Sequence, residues 1–284
     1  MKSDAAENHP GESTRDLWVG YARAFGGAIF FALPLLMTME MWWLGFYMDR
    51  LRLALFMGLM LPILIGLDHF SGFRKTDSWA DDVLDGIIAY GVGVAAAAVI
   101  LTLLNITNAE TPLREWVGKV ALLATPAAFG AVLASSQLGG SNNGEAMEQE
   151  RKEDAGYGAE LFLMMCGAIF FAFNVAPTEE MILLSYGMTP WHAAVLIIVS
   201  LAMMHAFVYA VEFHGSHSHG EAATGWSLFL RFTVVGYAIT ALVSSYVLWT
   251  FGRYDAGAQA IFVMQVVVLS FPGALGAAAA RLII

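Results

Sequence analysis

Eight segments of this chain run for about twenty residues or more on apolar side chains, with short polar stretches between them. In hydrocarbon a backbone satisfies its own N–H and C=O groups only within a helix or a closed barrel, and about 20 helical residues cross a core of about 30 Å. The segments lie near 17–48, 51–70, 83–106, 116–138, 158–188, 191–213, 226–251 and 258–284. They predict an all-α, polytopic transmembrane helix bundle of about eight spans, in contact with the lipid bilayer. Only 13% of the residues are charged, against roughly 25% in a soluble domain. The net charge of −10 gathers mostly in polar clusters at 1–16, 77–85 and 145–154, and no basic patch points to nucleic acid as a partner. Residues 1–16 hold no apolar core followed by a small-residue cleavage site, so no removable leader is expected. Cys166, alone inside an apolar run, excludes an intrachain disulfide and any multi-cysteine zinc pattern.

The chain repeats itself. The string GAIFFA at 27–32 recurs at 167–172, and the same offset pairs Thr38 with Thr178, Glu40 with Glu180, Met41 with Met181 and Met48 with Met188. TPAAFGAVLA from Thr125 aligns with FPGALGAAAA from Phe271, which pairs Pro126 with Pro272 and Gly130 with Gly276. The expected organisation is a polar tail at 1–16, a four-span repeat at 17–138, a polar linker at 139–157 and a second four-span repeat at 158–284. Four spans per unit leave the two units parallel, related by an axis along the membrane normal. Lys2, Arg15, Arg74, Lys75, Arg151, Lys152 and Arg281 then fall on one side, and Arg50, Arg52, Arg114, Lys119 and Arg253 on the other. This bias puts both termini in the cytoplasm of a multi-pass protein.

Within so apolar a chain, Glu40 in PLLMTMEMWWLGFYM and Glu179-Glu180 in GAIFFAFNVAPTEEM stand out. Segment 17–48 at helical rise would be about 48 Å long, so it must tilt, kink or protrude. Pro34 and Pro177 supply helix breaks, each removing an amide donor and freeing the carbonyl four residues earlier, those of Phe30 and Phe173. Freed carbonyls, the Asn174 amide, the hydroxyls of Thr38 and Thr178 and the carboxylates of Glu40, Glu179 and Glu180 would make a hard, oxygen-rich cation site. A second reading of the same residues is an ordinary helix start at 177–180, proline first and carboxylates against the positive dipole end, with the span ending near 176. The cost of an ionisable side chain inside a span, and its recurrence at Glu40, favour a functional role for Glu180.

The end of the sixth segment reads HAFVYAVEFHGSHSHGE. His214, His217, His219 and Glu212 offer imidazole and carboxylate ligands for a divalent metal at no recognised structural spacing. His205, flanked by methionines and Ala206-Phe207 within a span, is either a satisfied core histidine or a proton relay or ligand facing Glu180. Most tryptophans lie near segment ends, as in an interfacial aromatic belt, and the scattered methionines fit apolar filling.

Phe170–Phe173 followed by Ala176–Glu180, an aromatic run and then Ala-Pro-Thr-Glu-Glu, resembles uncharacterised bacterial integral membrane families; the likeness implies a bacterial inner-membrane protein and brings no activity. Glu179-Glu180 also resembles the glutamate pair of the eight-span CAAX-type intramembrane proteases. That pattern departs here at Leu184, where those proteins carry arginine, and Leu201–His205 lacks their Phe-x-x-x-His. Ala176–Glu179 is similar to the Pro-Glu segments of cation/proton and calcium exchangers, whose repeats are inverted and odd in span number.

The leading expectation is ion-coupled transport of a small cation or proton, with Glu40, Glu180, Glu179, Asn174, Thr38, Thr178 and His205 at the ion site. The alternative is a non-transporting metal-responsive sensor or assembly factor that uses the histidine loop and forms a homo-oligomer through its spans. A glutamate/histidine intramembrane protease is third, so enzyme activity is an open question at this point.

Overall fold

The computed structural model describes residues 14–71, 79–138, 156–212, 225–255 and 259–283, and every regular element among them is helical. The elements are α1 (Thr14–Leu36), α2 (Met39–Tyr47), α3 (Arg50–Ser71), α4 (Trp79–Leu103), α5 (Leu113–Leu138), α6 (Tyr157–Val175), α7 (Glu179–Gly187), α8 (Pro190–Glu212), α9 (Gly225–Leu228), a π-helical turn (Phe229–Val234), α10 (Val235–Thr250) and α11 (Gln259–Ile283). Eight helices are long and apolar enough to cross a membrane. Most of the 1–16 tail and of the 139–157 linker lies outside the described residues, and α1 already begins at Thr14.

The first and fifth spans are shorter than their apolar runs. Trp18–Leu36 and Tyr157–Val175 are spans of 19 residues each, about 28 Å at helical rise. The surplus of each run turns into a separate nine-residue helix, α2 or α7. Between the helices the chain is extended at Thr38 (φ −91°, ψ 116°) and at Thr178 (φ −69°, ψ 145°). The proline chemistry differs between the two places. Pro177 lies in the break itself, past the end of α6, whereas Pro34 lies inside α1 and the helix continues to Leu36. Both breaks are closed the same way, by the threonine amide donating to the carbonyl three residues back, Leu35 or Val175, at 3.1 Å.

Two helices act as hubs. The Leu113–Ala134 span of α5 is 89% buried, against 17–50% for the other spans, and α5 packs against α1, α2, α3 and α4. In the second half α11 packs against α6, α7, α8 and α10. Without a hydrophobic force between helices in lipid, such contacts depend on close backbone approach through small residues. Gly27 faces Gly130, and Gly167 faces Gly276; a methyl group on any of the four would overlap the backbone carbonyl of its partner. Gly93 brings α4 onto Ala124 and Ala128 of α5 in the same manner.

Aromatic rings join the halves. Phe56 of α3 and Phe129 of α5 meet Phe173 of α6 and Phe251 after α10, all at most 3% exposed, with centroids 5.1–6.4 Å apart. Phe31 meets Phe170 at 5.7 Å, and Phe70 meets Phe162 at 5.5 Å, the latter over the space that Gly66 leaves open. Phe173→Ala is expected to lower unfolding free energy by about 3–5 kcal/mol, the range for emptying a buried Phe site, with Phe173→Leu well below that. Denaturant titration of purified protein in detergent checks it, and a Phe173→Ala loss under about 1 kcal/mol would mean the cluster does not hold the halves together.

Candidate functional site

Successive spans alternate in direction, so one end of the bundle collects the α1–α2 break, the start of α3, the α4–α5 connection, the α6–α7 break, the start of α8 and the α10–α11 connection. Most of the described carboxylates and cations of the site candidates stand at this break end. Glu40, half-exposed, is in the first turn of α2, and Glu179 and Glu180, both exposed, open α7. A carboxylate there meets the positive end of the helix dipole and its unpaired amides. The structure thus starts helices at the residues that also read as buried in a span. α2 rests on α5 and α7 on α11, with no extended contact between α2 and α7, so Glu40 and Glu180 share an end of the bundle from separate supports.

The oxygens around the breaks have partners. Thr38 Oγ1 donates to Pro34 O at 2.5 Å, Thr178 Oγ1 to Val175 O at 2.8 Å and Asn174 Nδ2 to Phe170 O at 2.8 Å. Trp42 Nε1 donates to Leu36 O at 2.8 Å, and Arg253 Nη2 to Pro177 O at 2.5 Å. These side chains take the carbonyls of Pro34, Leu36, Phe170, Val175 and Pro177, not those of Phe30 and Phe173 that the prolines were expected to free, and two of them, Trp42 and Arg253, were not singled out from the sequence. Thr38, Thr178 and Asn174 keep oxygen lone pairs that these bonds do not use.

Each hub helix adds a buried polar group. Gly27 against Gly130 fixes the antiparallel register of α1 and α5, and Lys119 stands eleven residues from Gly130 toward the break end along α5. Eleven residues are about three turns, or about 16 Å, so Lys119 keeps the face of Gly130. The same step from Gly276 along α11 reaches Gln265. Lys119, 8% exposed, pairs with Glu115 at 2.6 Å and reaches Ile106 O at 3.5 Å. Gln265, 4% exposed, has an Oε1 without a hydrogen-bond partner, and Arg253 Nε likewise has none. The alignment of Gly130 with Gly276 already pairs Lys119 with Gln265, which was the available signal.

Arg52 of α3 clamps the second half at this end. Its guanidinium takes both carboxylate oxygens of Asp255, at 2.6 and 2.9 Å, donates to Trp249 O at 3.0 Å and lies 5.0 Å over the Trp249 ring. The hydrogen bond from Arg52 holds the Asp255 carboxyl below its usual range.

His205 stands elsewhere. Fifteen residues of unbroken α8 separate it from Pro190, about 22 Å, and its Nδ1 lies 3.2 Å from Thr233 Oγ1 of the π-helical turn, with Phe229 edge-on at 5.2 Å. The geometry does not set it beside Glu180. His214, His217 and His219 lie outside the described residues, as does the side chain of Glu212. Among the described residues no three His, Cys, Asp or Glu side chains gather as a metal site. Near the far end, Asp82 is 2% exposed and 2.7 Å from His69 Nδ1, and His69 stacks on Trp79.

Residues 20–284 match the family model described as "Putative integral membrane protein (DUF2391)". The chain belongs to this family. No curated protein and no solved structure matches it. As a DUF2391 protein with eight candidate spans it is a multi-pass integral membrane protein, and the family description carries no activity with it.

The Arg52–Asp255 pair gives the family member a pH signature. Because the folded-state pKa of Asp255 is lowered, its contribution to stability is full above the ordinary value of 3.8 and is lost as pH falls through the lowered one. Asp255→Asn should therefore lower the melting temperature at neutral pH, and the gap from wild type should close on acidification below 3.8. Melting curves of both proteins across that pH range check it; a gap constant with pH would mean that the ion pair contributes nothing.

Proposed function

We propose that the protein carries a small cation across the bilayer with protons as the coupled species, and that Glu40 and Glu180 are the carboxylates that take the cation up. The observation that carries this reading is the pair of matched helix breaks at one end of the bundle. Each has an extended threonine followed two residues later by a glutamate at the start of a nine-residue helix. Interrupted helices are a recurrent way to expose backbone and side-chain oxygens to an ion at membrane depth. Glu179, Asn174, Thr38 and Thr178 supply further oxygens, and Gln265 and Lys119 set one half apart from the other. Lys119 puts a cation at the break end of α5 where Gln265 offers a neutral oxygen at the break end of α11, so the second half is the better cation host. His205, toward the opposite end of α8, passes the proton on through its contact with Thr233.

The reading includes two parallel four-span repeats. It is supported by α2 and α7, equal in length and beginning 140 residues apart, and by the glycine pairs that seat α1 on α5 and α6 on α11. It also includes a bacterial inner-membrane location with the termini in the cytoplasm, supported by the distribution of Lys and Arg.

Purified protein in liposomes, loaded with a pH-sensitive dye and challenged with gradients of Na⁺, K⁺ or Mg²⁺, tests the proposal. Wild type should move one of these cations with an opposing change of internal pH. Glu180→Gln should lower that flux at least roughly tenfold, equivalent to about 1.4 kcal/mol of lost ion stabilisation, and Glu40→Gln should lower it less. Flux unchanged in Glu180→Gln removes the glutamate from the mechanism, and no flux of any of the three in wild type removes the transport reading.

A further inference from the structure

The first half has a feature at the break end that the second half lacks. A methyl group on Gly118 of α5 would overlap the carbonyl of Gly45 in α2 and come within 2.6 Å of Arg50 Nη1. The two glycines therefore bring α2 onto the first turns of α5 and leave the space that the Arg50 guanidinium fills. Arg50 Nη2 donates to the backbone carbonyl of Arg114 at 3.2 Å, which holds the guanidinium beside the start of α5. The Arg114 side chain is exposed at the same place. Glu115, the carboxylate next to them, is engaged by Lys119 at 2.6 Å and does not neutralise the two arginines. The two arginines and the paired Glu115 line, with Phe46, Tyr47, Met48 and Pro112, a cleft of about 290 Å³. Tyr47 and Phe46 are 57% and 58% exposed, at the junction of a short helix and a span, where aromatic rings belong at the lipid–water boundary.

The matched positions of the second half carry Ser185 for Gly45, Pro190 for Arg50, Ala260 for Arg114 and Met264 for Gly118. The two arginines and the two glycines that make room for them are present together in one half and absent together in the other. Packing alone does not account for that, since the second half makes its corresponding α7–α11 contact without them.

We propose that this cleft binds a phosphate group, and that its source is the headgroup of an anionic phospholipid. Two guanidinium forks suit phosphate oxygens, which accept paired N–H donors. The volume falls just below the roughly 300–1,000 Å³ of small-molecule clefts, enough for a headgroup phosphate and its glycerol but not for a whole lipid. The acyl chains would run down the exposed apolar surface of α2 and α3, over Trp43 and Leu51, 61% and 68% exposed. The site is independent of the cation reading, because none of its residues is a proposed cation ligand.

Native mass spectrometry of delipidated protein, titrated with phosphatidylglycerol, phosphatidylcholine or inorganic phosphate, tests this. Wild type is expected to bind phosphatidylglycerol at least about tenfold more tightly than phosphatidylcholine. Arg50→Gln/Arg114→Gln should abolish that preference while Arg50→Lys/Arg114→Lys keeps part of it. Arg114→Gln alone, which leaves the backbone carbonyl that Arg50 uses and so the local fold, should lower the preference about threefold. Failure of inorganic phosphate to displace the lipid supports the headgroup as source; displacement at micromolar phosphate overturns that source in favour of free phosphate. An undiminished preference in both glutamine variants, or equal retention of the two lipids by wild type, overturns the site.

Discussion

Gly167 and Gly276 face each other with their backbones in contact, as do Gly27 and Gly130, and the rest of the molecule is arranged by these two crossings. In lipid the apolar side chains of two helices gain little by meeting, because hydrocarbon serves them as well as each other. What favours association is the density of contact available when nothing larger than hydrogen stands between the helices. Once the glycines are in place the register of α1 on α5 and of α6 on α11 is fixed. Three turns from those glycines toward the break end, Lys119 stands on α5 and Gln265 on α11. A local steric condition thus orients the hub-helix face on which each of these buried polar groups stands.

The breaks follow from a mismatch of length. An apolar run of about 48 Å does not fit a core of about 30 Å, and bending is one of several remedies. Here each run stops at a threonine, and the liberated backbone groups are covered. The hydroxyl of Thr38 and the indole of Trp42 serve the first break, and the hydroxyl of Thr178 and the guanidinium of Arg253 the second. Covering matters because an unpaired carbonyl in hydrocarbon costs several kcal/mol. The helices that begin after the breaks then present their first-turn amides to Glu40, Glu179 and Glu180, which explains why carboxylates are tolerated there.

Much of this was legible in the residues. The number and positions of the spans follow from apolar length, and the 140-residue offset that pairs Thr38 with Thr178 also predicts that α2 and α7 start at equivalent points. The glycines of GAIFFA, and of FGAVLA with its counterpart LGAAAA, were visible as repeats, though not as each other's partners. What could not be read locally was the state of the glutamates, since a proline, a threonine and two carboxylates describe a broken span and a helix start equally well. Only the tertiary contacts separate the two, and they begin α7 at Glu179. Pro34 misled more simply: its place matches Asn174, not Pro177, and the first break needs no proline. Arg253, Trp42 and the four-phenylalanine cluster depend on partners 6 to over 100 residues away, beyond any periodicity argument.

The account rests on both short helices lying on one side of the membrane. Single cysteines at the ends of α2 and α7, Tyr47→Cys and Gly187→Cys, and at the start of α4, Asp81→Cys, can each be placed in a Cys166→Ala background. A membrane-impermeant maleimide applied to oriented vesicles then reports the side of each. The expected result is labelling of Tyr47→Cys and Gly187→Cys from the same side and of Asp81→Cys from the other. Labelling of Tyr47→Cys and Gly187→Cys from opposite sides would contradict it.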